Sequence, residues 1–317
     1  MTTSPFPVSV QALGFLQPVI LVGETPLNLT DEVLLLFLML LEDQPFGGKP
    51  GRSLSLHRAV RQFRWSMYNL ETNARRFSNV QAKLVRAFEL AGCSLPLLVH
   101  NEVGAVRLNW EAFDFQYDLN EFFQAAREAF RFNSIWKKQG TRQNVGTAQT
   151  SLPSTEKLQS AVSLYKPFLC EADEPIPSTS FTGPGSYLHH PWVSQRREQV
   201  LQTLGYLFFA WAELHFRFYV QALDFNIPQD EHTQLELALV YLWVAHDCVP
   251  DSPTILLQLL KALPLSSSAK EKRLLREIGA ATFARHQDVR VRNGKQVFLE
   301  VLVAYQTYFR TINRQWI

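Results

Sequence analysis

The chain has 317 residues, of which 46% are hydrophobic and 19% are charged, a composition typical of a globular protein and unlike that of a disordered chain. Its length exceeds that of an ordinary single core and predicts two domains. The formal net charge of +2 excludes a uniformly basic protein, so any affinity for nucleic acid must come from the local distribution of charge.

Membrane, disulfide and metal signals are weak in this sequence. The uninterrupted apolar run over residues 33–41, which no other run in the sequence exceeds, is much shorter than the roughly 20 residues that a transmembrane helix needs. The three cysteines, Cys93, Cys170 and Cys248, are far apart and form no CxxC pair, which argues against disulfides and a zinc site. We therefore expect a cytoplasmic protein without a membrane segment, metal or cofactor.

Two irregular stretches divide the chain. Residues 139–155 are polar and poor in large apolar side chains, and residues 171–188 are rich in proline and glycine. These stretches predict an N-terminal domain over residues 8–130, a linker over 131–157 and a second domain over 158–317.

The N-terminal domain begins with two predicted strands and a helix. Residues 8–16 and 18–29 are typical of short strands, with a turn at Gly23 and Glu24. Thr30 stands at the N-cap of an almost entirely apolar helix. A glycine-rich loop at residues 46–51 ends this helix.

Two more helices and a hairpin follow. A second helix is predicted over residues 57–67 and a third over 72–90, because apolar residues of the third recur at helical spacing. Residues 97–100 and 105–108 are strand-like and flank a short turn, which predicts a hairpin. Strands, three helices and a hairpin in this order are typical of a winged helix-turn-helix.

Basic residues are concentrated in the same region. Between Lys49 and Arg107 there are ten basic and three acidic residues, so ten minus three gives a local excess of seven positive charges. Such an excess on two helices and a hairpin is expected of a surface that binds DNA phosphates.

The third predicted helix is the expected base-contacting element, because a helix fits the major groove and its N-terminal half reaches base edges. The residues predicted to face double-stranded DNA are Arg58, Arg61, Asn73, Arg75, Arg76, Asn79, Lys83, Arg86 and Arg107. We expect base contacts from Arg75, Arg76, Asn79 and Lys83. Arg107, in the hairpin, is expected to bind a phosphate. The alternative interpretation of this helix is a solvated polar face without a ligand.

Residues 13–122 resemble the winged helix-turn-helix of response-regulator-type proteins, and most closely that of SARP-type activators, the antibiotic regulatory protein family. The resemblance lies in the order of LGFLQPVILVGETPLNLT, NARRFSNVQAKLVRAF, GAVRL and DFQYDLNEFF. Further along, SAVSLYKPFLCEADE and HHPWVSQRREQVLQTLGYLFFAWAELHF are similar to the bacterial transcriptional activator domain of that family. The sequence departs from the family pattern at Val85, where an Arg is usual, and the similarity fades beyond residue 230.

The resemblance implies a mainly α protein: a winged helix-turn-helix (α+β) followed by an all-α, tetratricopeptide-like helical domain. It implies structural roles in that helical domain for Tyr165, Trp192, Arg196 and Trp211. It also implies a sequence-specific transcription regulator, most simply an activator, whose helical domain forms a homodimer or contacts RNA polymerase.

Two other functions stay open at this point. One is a protein-interaction scaffold with a degenerate winged helix, which Val85 and the low net charge favour. The other is a sensor whose helical domain binds a small effector. We expect no catalytic residues, because no GxSxG, HExxH or phosphate-binding glycine loop is present.

Overall fold

The computed structural model describes residues 5–42, 53–65, 68–101, 104–139, 152–170, 186–224, 228–250 and 252–262. The strands are β1 Phe6–Gln11, β2 Val19–Val22, β3 Thr25–Pro26, β4 Leu98–His100, β5 Val106–Leu108 and β6 Phe113–Tyr117. The helices are α1 Asp31–Leu41, α2 Leu56–Gln62, α3 Leu70–Leu90, α4 Asp118–Gln139, α5 Leu152–Ser163, α6 Pro191–Asp224, α7 Pro228–Cys248 and α8 Pro253–Ala262, with a 3₁₀ turn at Ser186–His189. The protein is therefore mainly helical with a small mixed sheet, which confirms the predicted α-rich class.

The chain divides into two compact units. Unit 1 comprises Met1–Gln124 and Leu164–Val200, and unit 2 comprises Ala125–Ser163 and Leu201–Ile317. The points of division fall within α4 and α6 and at the end of α5.

The main sheet of unit 1 has the strand order β3-β2-β1-β6. β1 pairs antiparallel with β2 and parallel with β6. Phe113, Phe115 and Tyr117 of β6 are buried while the residues between them are exposed, as the two-residue period of a strand dictates. Gly23 has a φ of +61° in the turn between β2 and β3, at the predicted turn position.

The first helix, α1, forms the centre of unit 1. Thr30 occupies its N-cap position as predicted, although its side chain makes no capping hydrogen bond. Asp31 and Glu32 place negative charge in the first turn, where it interacts favourably with the helix dipole. All of residues 33–41 are buried, so this apolar helix is covered on every side.

The third helix, α3, lies against α1 and the sheet through one apolar side. Its ring contacts are Phe88 with Phe37, at 5.5 Å between centroids, and Phe88 with Phe113, at 6.1 Å. The helix begins at Leu70, two residues earlier than predicted, because the Asn69 side chain accepts a hydrogen bond from the Thr72 backbone N–H at 3.1 Å and caps it.

Residues 164–200 pack as part of unit 1. The Gly14 N–H donates to the Pro167 carbonyl at 2.7 Å, and the Leu169 N–H donates to the Ala12 carbonyl at 2.9 Å. The buried Arg197 guanidinium donates to the carbonyls of residues 168, 169 and 188, at 3.0, 2.5 and 3.3 Å. Each of these buried carbonyls therefore has a donor, as burial requires.

Three of the four residues expected in a separate helical domain, Tyr165, Trp192 and Arg196, lie in unit 1. The Arg196 guanidinium binds both carboxylate oxygens of Glu42, which directly follows α1, with 2.6 Å between Nη2 and Oε2. It also lies 5.5 Å from the centroid of the Trp192 ring. The division of the structure thus differs from the predicted domains, because the start of α6 is tied to the end of α1.

Tyr165 and Trp211 fall in different units. The Tyr165 ring lies 6.2 Å from that of Phe122 in unit 1. Trp211 lies in unit 2, where its ring stacks on Tyr241 at 4.8 Å and an interplanar angle of 12°.

In unit 2, α6 and α7 run antiparallel and in close contact. Gly205 lies against the end of α7, and His215 Nδ1 is 2.7 Å from Gln234 Oε1 near its start. Among the described residues of this unit, side chains of α7 and α8, together with Ala212 of α6, form a hydrophobic cluster in which Leu242, Ile255 and Leu259 are fully buried. Among the described residues, no helix combines the length and apolar character that a membrane span would need.

Candidate nucleic-acid interface

The solvent-facing side of α3 carries a row of polar and basic residues. Arg75, Asn79, Lys83 and Arg86 follow one another at intervals of four, four and three residues, so they share one side of the helix. All four are exposed, and we call them the outer face of α3. The buried residues of α3, including Phe77 and Leu84, lie on the opposite side.

Asn73 does not belong to this face. It lies four residues before Phe77 and seven before Val80, so it shares their side of α3, and only 5% of it is exposed. The structure therefore removes Asn73 from the predicted DNA-contacting residues.

Arg75 is paired along the helix. Its Nη2 atom lies 2.6 Å from Oε1 of Glu71, one turn earlier, and the two side chains are 78% and 77% exposed. An exposed i,i+4 ion pair contributes only about 0.3–0.5 kcal/mol, so the guanidinium can exchange this partner for a ligand at little cost.

Arg76 has a different environment, on the flank of α3 that faces the start of α1. Its guanidinium forms an ion pair with Glu32 and lies 4.8 Å from the centroid of the Trp65 ring. The Trp65 indole N–H also donates to Glu32 Oε1 at 3.3 Å. Arg76 thus joins α3 to α1 and to the segment after α2, and the structure does not place it on the outer face.

The predicted hairpin is present as β4 and β5, and two contacts fix its position. Leu54, which precedes α2, exchanges two backbone hydrogen bonds with Val106 of β5, at 2.7 and 3.0 Å. His100 Nε2 lies 3.0 Å from Gln81 Oε1 of α3. Arg107 of β5 is half-buried, and its strand is held at a set position relative to α3.

The second helix, α2, is shorter than predicted. Its N-cap is Ser55, whose hydroxyl accepts a hydrogen bond from the Arg58 N–H at 3.2 Å. It ends at Gln62 because Arg64 adopts a left-handed backbone with a φ of 54°. Arg61 is exposed and Arg58 is half-buried, so Arg61 is the more accessible of the two predicted contacts on this helix.

The structure therefore brings together part of the predicted set. The outer face of α3 holds four of the nine predicted residues, and the contact between Gln81 and His100 ties α3 to the hairpin that carries Arg107. Two acidic residues, Glu71 and Glu32, belong to the same surroundings and were missed by the sequence reasoning. The spacing of four residues between Glu71 and Arg75 is a sequence signal that predicts the ion pair of Glu71.

Comparison with known proteins gives no family assignment. No protein-family model, curated protein or solved structure matches the chain. The resemblance to SARP-type activators therefore rests on the order of the sequence motifs alone. Among the described residues, no group of three or more His, Cys, Asp or Glu side chains is arranged to hold a metal ion.

Proposed function

We propose that the protein is a DNA-binding transcription regulator in which α2, α3 and the β4–β5 hairpin act as a winged helix-turn-helix. The observation that carries the proposal is the outer face of α3, with three cationic side chains and Asn79 exposed on one side of a helix. The opposite side of this helix is anchored in the core by Phe77, Leu84 and Phe88. An anchored helix with an exposed basic side suits insertion into the major groove.

Each member of the interface has a role in this proposal. Arg75 and Asn79, in the N-terminal half of α3, contact base edges, since Arg pairs with guanine and Asn with adenine through two hydrogen bonds. Lys83 and Arg86, nearer the C-terminal end, neutralise phosphates, as does Arg107 of the hairpin. Arg76 acts as a positioning residue that holds α3 against Glu32 and Trp65.

Unit 2 is proposed to be the tetratricopeptide-like part of the regulator, which forms a homodimer or contacts RNA polymerase. The antiparallel contact of α6 with α7, from Gly205 to the pair of His215 and Gln234, supports this proposal because such repeats are built from antiparallel helix pairs.

The test compares variants of the full chain in DNA-binding titrations by fluorescence anisotropy, on fragments from upstream of its own gene. R107A should weaken binding to all sequences alike and reduce the salt slope by about 1. N79A should reduce the discrimination between base pairs at one position of the site by about 1–3 kcal/mol of binding free energy, and it should leave the salt slope nearly unchanged. The control is K157A, which removes an exposed lysine of α5 and should change neither property.

Three outcomes would contradict the proposal. Equal effects of R107A and K157A would remove the hairpin from the interface. An N79A protein with unchanged base preference would mean that the outer face of α3 does not meet base edges. Absence of salt-dependent binding in the wild type would favour the protein-interaction scaffold.

A further inference from the structure

The outer face of α3 has an acidic neighbour at its N-terminal end. Glu71 lies one turn before Arg75, its carboxylate contacts the guanidinium at 2.6 Å, and 77% of its side chain is exposed. Glu89, near the other end of α3, is also exposed. It follows Glu71 by 18 residues, about five full turns, so the two carboxylates project from the same side of the helix.

A carboxylate beside a DNA-contacting helix restricts what the neighbouring arginine can bind. It is repelled by phosphates and disfavours their approach to Arg75. It accepts hydrogen bonds, and among the bases the favoured donor for Glu is the cytosine N4 amino group. Arg, in turn, binds guanine O6 and N7 through two bonds. Both halves of the pair therefore favour a G·C base pair.

We propose that Glu71 is a specificity-determining residue of the DNA site. It orients the Arg75 guanidinium toward guanine and accepts a hydrogen bond from the N4 amino group of the cytosine in the same base pair. This inference rests on the proposed function. The exposed position of the ion pair lets Arg75 shift between Glu71 and a base without a large loss of interaction energy.

The experiment is selection of bound sequences from a random duplex library by the full chain, followed by titration of single-base variants of the selected site. Wild-type protein, E71Q and E89Q are compared. E71Q and E89Q each remove one negative charge from the same side of α3, so general electrostatic effects on affinity are matched. E71Q should reduce discrimination for G·C at one position by about tenfold or more, while E89Q should keep the wild-type preference at every position.

A role for Glu71 in helix stability alone would have a different outcome. In that case E71Q would lower the melting temperature, through the lost interaction with the helix N-terminus, and leave the selected sequence unchanged. That result would overturn the inference. R75K keeps the charge but loses the two-bond geometry of guanidinium, so it should relax the same base position as E71Q. Relaxation of a different position would also overturn it.

The outcomes separate this inference from the proposed function. If the wild-type protein selects no sequence, the proposed function is wrong and the inference is wrong with it. If the wild type selects a defined site and E71Q selects the same site with equal discrimination, only the role of Glu71 is wrong.

Discussion

The ion pair between Arg196 and Glu42 should be a measurable link between the start of α6 and the end of α1. Only 19% of the Arg196 side chain and 17% of the Glu42 side chain are exposed, and the guanidinium contacts both carboxylate oxygens. We consider the substitutions R196M and E42Q, singly and together, because they remove the charges while keeping most of the side-chain volume.

The expected coupling energy lies between the values for exposed and for fully buried pairs. Two unit charges about 4 Å apart attract by about 4 kcal/mol at an effective dielectric constant of about 20. Desolvation of both groups cancels part of this attraction. We therefore expect a coupling energy of about 1–3 kcal/mol. Each single substitution should lower the free energy of unfolding by more than half of the loss caused by the double substitution, because it leaves a poorly solvated charge without its partner.

The assay is urea unfolding of the four proteins, followed by far-UV circular dichroism, with midpoints compared at constant slope. The control is the same cycle on Lys157 and Glu128, whose charged atoms are 3.6 Å apart and whose side chains are 46% and 48% exposed. That pair should give a coupling of at most about 1 kcal/mol. A coupling for Arg196 and Glu42 no larger than the control value would refute the reasoning that this ion pair stabilises the packing of the start of α6 against the end of α1.

Three further predictions concern packing, pH and the interface. G205A should lower the free energy of unfolding by about 1–3 kcal/mol, because a Cβ atom at Gly205 would lie 2.5 Å from Val249 Cγ2; an unchanged urea midpoint would contradict this close contact. Burial lowers the pKa of His215 from 6.5, with a partial opposing effect of its hydrogen bond to Gln234, so its stabilising contribution is present above about pH 6.5 and is lost as the pH falls through the lower folded-state pKa. Between pH 7 and pH 5 the free energy of unfolding should therefore fall more steeply for the wild type than for H215Q. Parallel pH profiles of the two proteins would contradict a lowered pKa of His215. N73A should lower stability without changing base preference, since Asn73 is buried; a shift in the selected DNA sequence would return this residue to the interface.

The sequence predicted the elements whose pattern is local. The apolar run behind Thr30 predicted α1, and the recurrence of residues such as Phe77, Leu84 and Phe88 predicted α3. The hairpin followed from two short strand-like runs around a turn. β6 was missed although its apolar and polar residues alternate over Phe113–Tyr117, which is a local strand pattern. Its parallel pairing with β1, about 100 residues away, leaves no local sign.

The sequence predicts the basic character of α3, but not which of its polar residues lie on the outer face. The polar side chain of Asn73 predicts an outward position, yet its spacing from Phe77 fixes it on the buried side of α3. The basic side chain of Arg76 predicts a DNA contact, and its ion pair with Glu32 has no local signal because Glu32 is 44 residues earlier in the chain. Contacts at such separations depend on tertiary packing, which residue type and spacing do not determine.

The domain division was the least predictable feature. The irregular stretches of the sequence suggested a boundary before residue 158, and both stretches lie largely outside the described residues. The ties that place residues 164–200 in unit 1 are backbone hydrogen bonds of Gly14 and Leu169 and the pair of Arg196 with Glu42. Backbone pairing of this kind is nearly independent of side-chain identity, so it leaves little trace in the sequence.

The proposed interface has one direct test, binding of the purified full chain to DNA from upstream of its own gene, measured from roughly 50 to 200 mM salt against random duplexes of equal length. The outer face of α3 and Arg107 predict tight binding to one fragment, with an affinity that falls steeply and linearly on a logarithmic salt scale. Binding no tighter than to random DNA at every salt concentration would contradict a sequence-specific DNA regulator.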